Sequence, residues 1–242
     1  MKKIMYDISV FTDLLNTINL TLSDTQIQQF MTYYEMLIER NKVMNLTAIT
    51  EYEEVINKHF IDSLSIIKVY QNKDNIKVLD MGTGAGFPGI PLKIAFPNWN
   101  ITLLDSLNKR VNFLNDVINQ LKLNNITAIH GRAEDYGKET HYRETYDLCV
   151  SRAVAKLSTL SEYCLPYVKI NGYFIPYKAG NIDTEVKESQ RAIKILGGTL
   201  EKVEQFQLPN TDMERSLIVI KKISHTPKQY PRSTGKPSKE PI

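Results

Sequence analysis

Val78-Leu79-Asp80-Met81-Gly82-Thr83-Gly84-Ala85-Gly86-Phe87-Pro88-Gly89 decides the fold. An apolar run ends in Asp80, glycines follow at positions 82, 84 and 86, and an apolar helical pattern opens directly after them. A strand that passes through a glycine turn into a helix is the junction at which α/β proteins bind an adenosine-type cofactor. Glycine permits the tight, often positive-φ turn and lets a ligand approach the main chain.

Downstream of Ile76 the pattern alternates. Strands are predicted at 77–81, 100–105, 127–130, 148–151, 172–177, 199–207 and 216–221, and helices at 89–96, 109–121, 156–165 and 183–195. Such alternation predicts an α/β fold, a doubly wound and mostly parallel seven-stranded sheet with helices on both faces. No helical pattern separates the last two strands, so a hairpin there is expected to add an antiparallel strand.

Upstream, residues 1–75 read as a helical N-terminal extension. Ser23-Asp24-Thr25-Gln26 is a capping-box pattern. Ile27, Phe30, Met31, Tyr34, Leu37 and Ile38 then recur at helical spacing. Asn41 to Thr47 breaks the pattern, a second stripe runs through Ile56, His59, Phe60, Ser63, Leu64 and Ile67, and polar Gln71 to Asn75 closes the section. At the other end, residues 224–242 form a basic, Pro-rich tail. From Lys221 onward there are six Lys or Arg, one acid (Glu240) and four of the ten prolines, the composition of a poorly packing segment. Residues 76–223 remain as the central α/β domain.

At 242 residues, with 42% hydrophobic and 24% charged residues, the chain can bury a large core without metal or disulfide staples. A net charge of +3 argues only weakly for nucleic acid. Cys149 and Cys164 make no Cys-x-x-Cys pair, and His59, His130, His141 and His225 are scattered, so no metal site is expected. No apolar run approaches membrane-spanning length. Asp7 and polar residues interrupt the segment after Met1-Lys2-Lys3, so no signal peptide is read. A cytoplasmic protein without membrane attachment is expected. Nothing in the sequence suggests an obligate dimer, so a monomer is expected too.

Open parallel sheets bind ligands beyond the carboxyl ends of their strands. Four segments are expected at that edge: the glycine loop after Asp80, Asp105, Gly131-Arg132-Ala133-Glu134-Asp135, and Ser151-Arg152-Ala153. Asp105 would accept from both ribose hydroxyls, or would cap the next helix. Glu134 and Asp135 would frame an adenine, or cap and solvate a loop. Arg152, ending a buried strand, needs a carboxylate or a ligand. His59, with Asp62 three residues on, reads as a hydrogen-bonded core histidine rather than a catalyst.

Two cofactors fit. Gly84-x-Gly86-x-x-Gly89 matches a dinucleotide pattern, with Asp105 about twenty residues on. Against it, Pro88 and Pro91 crowd the first helical turn, where a diphosphate needs free N–H donors. S-adenosylmethionine carries no phosphate and suits Asp80, Gly82, Gly84, Gly86 and Asp105 better, with Asp80 near its amino-acid end.

A family resemblance rests on the ordered motifs His59-Phe-Ile-Asp-Ser63, Asp80-Met-Gly-Thr-Gly-Ala-Gly-Phe-Pro-Gly-Ile-Pro-Leu-Lys93, Leu104-Asp-Ser-Leu-Asn-Lys-Arg110, Gly131-Arg-Ala-Glu-Asp135, Val150-Ser-Arg-Ala153 and Tyr230-Pro-Arg-Ser-Thr-Gly-Lys-Pro237. Together they resemble the ribosomal small-subunit methyltransferase G family, also called glucose-inhibited division protein B. The resemblance implies a Rossmann-like class I methyltransferase that moves a methyl group from S-adenosyl-L-methionine to N7 of one guanine in 16S rRNA of the small ribosomal subunit. It also implies that Gly82, Phe87, Ala133, Glu134 and Arg152 contact the cofactor. The strand-four position lacks the Asn-Pro-Pro-aromatic motif of enzymes that methylate exocyclic amines. Guanine N7 has a lone pair and no proton, so no catalytic acid or base is assigned. Arg152, Lys178, Arg215 and Arg232 are the candidate RNA contacts, with Lys93, Lys109 and Arg110 as further phosphate ligands near the sheet edge. The competing readings are an NAD-dependent oxidoreductase and a non-enzymatic RNA-binding assembly factor.

Overall fold

A computed structural model describes residues 6–70, 74–152 and 155–242. The helical extension opens with α1 (Ile8–Thr17) and α2 (Asp24–Met44). Ser23 and Gln26 close the expected capping box: the Gln26 side chain accepts from the Ser23 N–H at 2.9 Å. The same side chain also donates to the Ile94 carbonyl at 2.7 Å, which ties the start of α2 to the central domain. Asn45 ends α2 in the left-handed conformation (φ 49°), which Asn tolerates better than most residues.

The second helical stripe is a composite. α3 (Tyr52–Val55) runs into a π-helical turn, Ile56–Ile61, and then α4 (Asp62–Leu64). The sequence spacing is that of an ordinary helix. The wider π turn shifts the inward face and buries Asn57, Ile61 and Asp62 beside Phe60 and Leu64.

The sheet contains β1 (Lys77–Met81), β2 (Asn100–Asp105), β3 (Ile126–His130), β4 (Tyr146–Arg152), β5 (Val168–Ala179), β6 (Gly198–Gln207) and β7 (Glu214–Lys222). Its order is β3-β2-β1-β4-β5-β7-β6. β1 to β5 are parallel, and β7 enters antiparallel between β5 and β6 as the expected hairpin. β4 and β5 begin earlier than their sequence signal, because their amino-terminal ends still find ladder partners, as at Tyr146 and Val168.

Between strands lie α5 (Gly89–Ala95), α6 (Asn108–Gln120), the one-turn α7 (Ala133–Tyr136), α8 (Leu157–Cys164) and α9 (Asp183–Ile195). α1, α2, α5 and α6 share one core with sheet residues such as Val78, Leu103, Leu148 and Val150. α8 and α9 close the other face over Leu79, Cys149, Phe174 and Ile218. Strand order therefore reverses between β1 and β4, and the glycine loop that follows β1 sits at that point.

Two expectations are corrected. The tail is packed, because buried carboxylates and carbonyls engage its polar groups. Arg232 forms a two-pronged pair with Glu162, at 2.9 Å from Nε to Oε1 and 2.6 Å from Nη2 to Oε2. Arg143 donates to the carbonyls of Thr226 and Tyr230, and Pro237 of the short α10 (Lys236–Lys239) is buried. Lys93 does not reach solvent, and so is no phosphate ligand. It is buried, and its ammonium donates to the carbonyls of Pro97 (2.7 Å) and Trp99 (2.5 Å) beyond the end of α5. Of the predicted polar break, 71–73 lie outside the described residues, as does Ala153.

Candidate functional site

Asp80 is fully buried at the end of β1 and anchors the loop from beneath. Its Oδ2 accepts from the Thr83 hydroxyl at 2.6 Å and from the Gly89 N–H at 2.8 Å. Burial lifts its carboxyl from 3.8 to about 6, against the pull of those donors. Gly84 (φ 63°) and Gly86 (φ 106°) take positive-φ conformations. A Cβ on Gly86 would lie 2.8 Å from the Tyr33 hydroxyl, whereas one on Gly84 would meet nothing within 4 Å. Gly86 is thus needed for close packing and Gly84 for open space above the loop.

Most N–H groups of this junction already have partners. Gly82 and Thr83 donate to the Leu104 carbonyl (2.9 and 3.2 Å), and Gly86 and Phe87 to the Thr83 carbonyl (2.9 and 3.0 Å). Gly84 donates to Asp105 Oδ2 at 2.8 Å. In the first turn of α5, Gly89 donates to Asp80, Ile90 and Leu92 donate to the carbonyls of Gly86 and Pro88, and Pro91 has no N–H to offer. A diphosphate would find no free backbone donor in that turn and would face the carboxylate of Asp105, with that of Asp80 buried beneath the loop.

Two chambers meet over the loop, sharing Gly82, Asp105 and Ser106. The first is about 170 Å³ and is lined by Leu104, Gly131, Ala133, Glu134, Tyr163 and the tail residue Gly235. The second is about 420 Å³ and is lined by Thr47, His59, Gly84, Phe87, Arg110 and Arg152. Asp105 stands at the junction. Its Oδ1 accepts from the Leu107 N–H, so it caps the turn into α6 as well as facing both chambers. The arrangement suits an elongated ligand with a flat apolar end, a hydroxyl-bearing middle and a polar far end. The donor set fits S-adenosylmethionine: two carboxylates, Asp105 and Glu134, for hydroxyl and amine donors, and two guanidiniums beside the second chamber.

Arg152 ends β4 between two ligand-sized spaces. Nη1 donates to Asp62 Oδ2 at 2.9 Å, Nη2 faces His59 Nδ1 at 3.2 Å, and the guanidinium lies 4.9 Å from the Phe87 ring centre. Asp62 Oδ1 accepts from Arg215 Nε at 3.1 Å, so one buried carboxylate orients two arginines. His59 stacks on Phe87 at 4.5 Å, and its Nε2 lies 2.8 Å from the Thr47 hydroxyl. Burial first, then the charge of Arg152, drives its imidazole from 6.5 to about 3, so it is neutral near pH 7. Arginine only donates, so His59 Nδ1 accepts and Nε2 carries the proton. On the far side of Arg152 and His59 lies a third cavity of about 350 Å³ with Ile49, Tyr177, Lys178 and Arg215 in its walls.

Of the residues expected from sequence at the cofactor, Gly82, Gly84, Phe87, Asp105, Ala133, Glu134 and Arg152 line the two chambers, and Asp80 and Gly86 support the loop from below. Of the expected RNA contacts, Arg152, Lys178 and Arg215 line the third cavity, while Arg232 is paired with Glu162. Sequence reading missed Tyr33, whose hydroxyl holds the Ala85 carbonyl at 2.6 Å, and Thr47. Tyr33 lies next to the predicted apolar stripe, and no local signal distinguishes it. Among the described residues no group of three His, Cys, Asp or Glu could hold a metal ion, and no helix is long and apolar enough to cross a membrane.

Solved structures share this architecture. TYW2 from M. jannaschii, determined in complex with AdoMet, superposes with a TM-score of 0.55 at 16% identity, over 73% of this chain and 80% of its own. YcgJ from Bacillus subtilis superposes with a TM-score of 0.53 at 13% identity, over 69% of this chain and 100% of its own. Sheet order, glycine loop and these likenesses define a Rossmann-like methyltransferase fold. The family model GidB, rRNA small subunit methyltransferase G, matches residues 26–218. Proteins named "Ribosomal RNA small subunit methyltransferase G" from Lachnoclostridium phytofermentans and Bacillus cytotoxicus are 59% and 48% identical to it, over 98% of this chain in each case and 98% and 99% of their own lengths. The chain belongs to the rRNA small subunit methyltransferase G family.

Proposed function

We propose that this protein methylates N7 of one guanine in 16S rRNA, using S-adenosyl-L-methionine, in the cytoplasm and as a monomer. One observation carries the cofactor assignment: two chambers joined at Asp105 lie over a junction whose helical N–H donors are already taken. When bound, S-adenosylmethionine supplies an electrophilic methyl group on a sulfonium. Ala133 and Glu134 line the chamber that would hold its adenine, Asp105 would accept from its ribose hydroxyls, and Gly82, Gly84, Phe87 and Arg152 would hold its methionine end. Asp80 and Gly86 fix the loop that holds it.

No residue is required as a base. Guanine N7 is unprotonated, and the His59 nitrogen that could accept a proton already faces Arg152. The protein's contribution is alignment and exclusion of water; alignment alone supplies on the order of 7–11 kcal/mol in favourable cases. The cavity walled by Lys178, Arg215 and Tyr177 adjoins the methionine-end chamber through Arg152 and His59. It is the space this reading gives to the target nucleotide, unstacked from its RNA loop. The family motifs support residues 76–223 as the methyltransferase domain, with 1–75 and 224–242 as its extensions.

The test supplies methyl-labelled S-adenosylmethionine and small ribosomal subunits from cells that lack the gene. Label should enter a single 16S guanine as 7-methylguanine. Label in another base, or none in RNA, would refute the reading.

A further inference from the structure

Thr47 sits where α2 has ended, and several features fix it there. Asn45 turns the chain through its left-handed conformation (φ 49°). The Asn41 side chain then clamps Thr47 on both sides: Nδ2 donates to the Thr47 carbonyl and Oδ1 accepts from the Thr47 N–H, each at 2.9 Å. The clamp holds the hydroxyl against the methionine-end chamber.

The hydrogen bonds of that hydroxyl can be counted. Oγ1 accepts from the Ile49 N–H at 3.0 Å. It lies 2.8 Å from His59 Nε2, which carries the imidazole proton because Nδ1 faces the Arg152 guanidinium at 3.2 Å. A hydroxyl accepts two hydrogen bonds and donates one. Both acceptor positions are filled, and among the described residues nothing accepts the remaining proton. The chamber beside it is walled by Arg110 and Arg152 as well. A donor with no protein acceptor, in a chamber that two guanidiniums also line, suits an anionic oxygen.

We propose that the Thr47 hydroxyl donates to the carboxylate of the methionine moiety, and that the Asn41–Thr47–His59–Arg152 chain is a prebuilt carboxylate subsite. This rests on the cofactor reading above. His59 then acts as a positioning residue: by donating to Thr47 while accepting from Arg152, it directs the hydroxyl proton outward.

The test compares the affinity of wild-type protein and Thr47→Val for S-adenosylmethionine and for its decarboxylated analogue, which keeps the sulfonium and the ammonium. Thr47→Val should weaken S-adenosylmethionine on the order of tenfold or more and leave the analogue unchanged. Thr47→Ser, which keeps the donor, should restore the difference. Asn41→Ala should show the same selective loss at smaller size, and it decides the matter if Thr47→Val does not fold. Equal loss of both ligands, or loss of neither, overturns the subsite. Failure of the wild type to bind S-adenosylmethionine at all would refute the cofactor reading instead.

Discussion

At the residue scale, His59 and Asp80 give the site opposite responses to pH. His59 in the folded protein titrates at about 3 rather than 6.5. Between those values the unfolded chain binds a proton that the native chain refuses, so this residue makes stability rise with pH across that window and adds nothing further above it. Asp80 titrates at about 6 rather than 3.8, so the native chain keeps its proton longer and stability falls as pH rises from 3.8 to 6. Urea unfolding of His59→Gln from pH 3 to 7 should show a shallower acid limb than wild type. Replacing Arg152 with alanine removes the charge that faces His59, so an NMR titration should find the imidazole pKa raised. The same variant should stay folded and lose on the order of 10- to 100-fold in methylation kcat/KM, the range for one hydrogen bond from a charged group. Unchanged turnover would remove Arg152 from the site.

At the element scale, the strand–loop–helix junction separates two kinds of glycine. A Cβ on Gly89 would come within 2.2 Å of Leu103 and 2.7 Å of Asp80, so Gly89→Ala forces the β1–α5 packing apart. It should cost roughly 1–3 kcal/mol in denaturant unfolding. Gly84→Ala meets no protein atom but must hold a positive φ, at about 1–2 kcal/mol. Its methyl group would project into the second chamber, so its larger effect should be on cofactor affinity, measured by calorimetry. Much of this element is legible in the sequence: glycines and prolines punctuate it, and β1, β2 and α9 lie at their predicted bounds. The π turn at Ile56–Ile61 is not legible, because nothing local to that stretch distinguishes it from an ordinary helix. It brings Asp62 inward to meet two arginines distant in sequence, and those partners are visible only in the folded chain.

At the scale of the whole molecule, the two ends of the chain converge on the central sheet. Tyr33 reaches the loop at Ala85, and the tail's Gly235 donates to Glu134 at 2.8 Å beside the first chamber. Composition alone makes the tail look like a solvated terminus, because charge and proline counts carry no information about the Glu162 and Glu144 carboxylates that receive it. Arg232→Ala would leave Glu162 buried without its guanidinium, and should destabilise the fold by roughly 3–5 kcal/mol in urea unfolding. A loss within experimental error would show that the tail is not anchored there. The central claim concerns what lies over the glycine loop, and calorimetric titration of the wild-type protein with S-adenosylmethionine and, separately, with NAD tests it most directly. One equivalent of S-adenosylmethionine should bind and NAD should give no heat; saturable binding of NAD with none for S-adenosylmethionine would contradict the account.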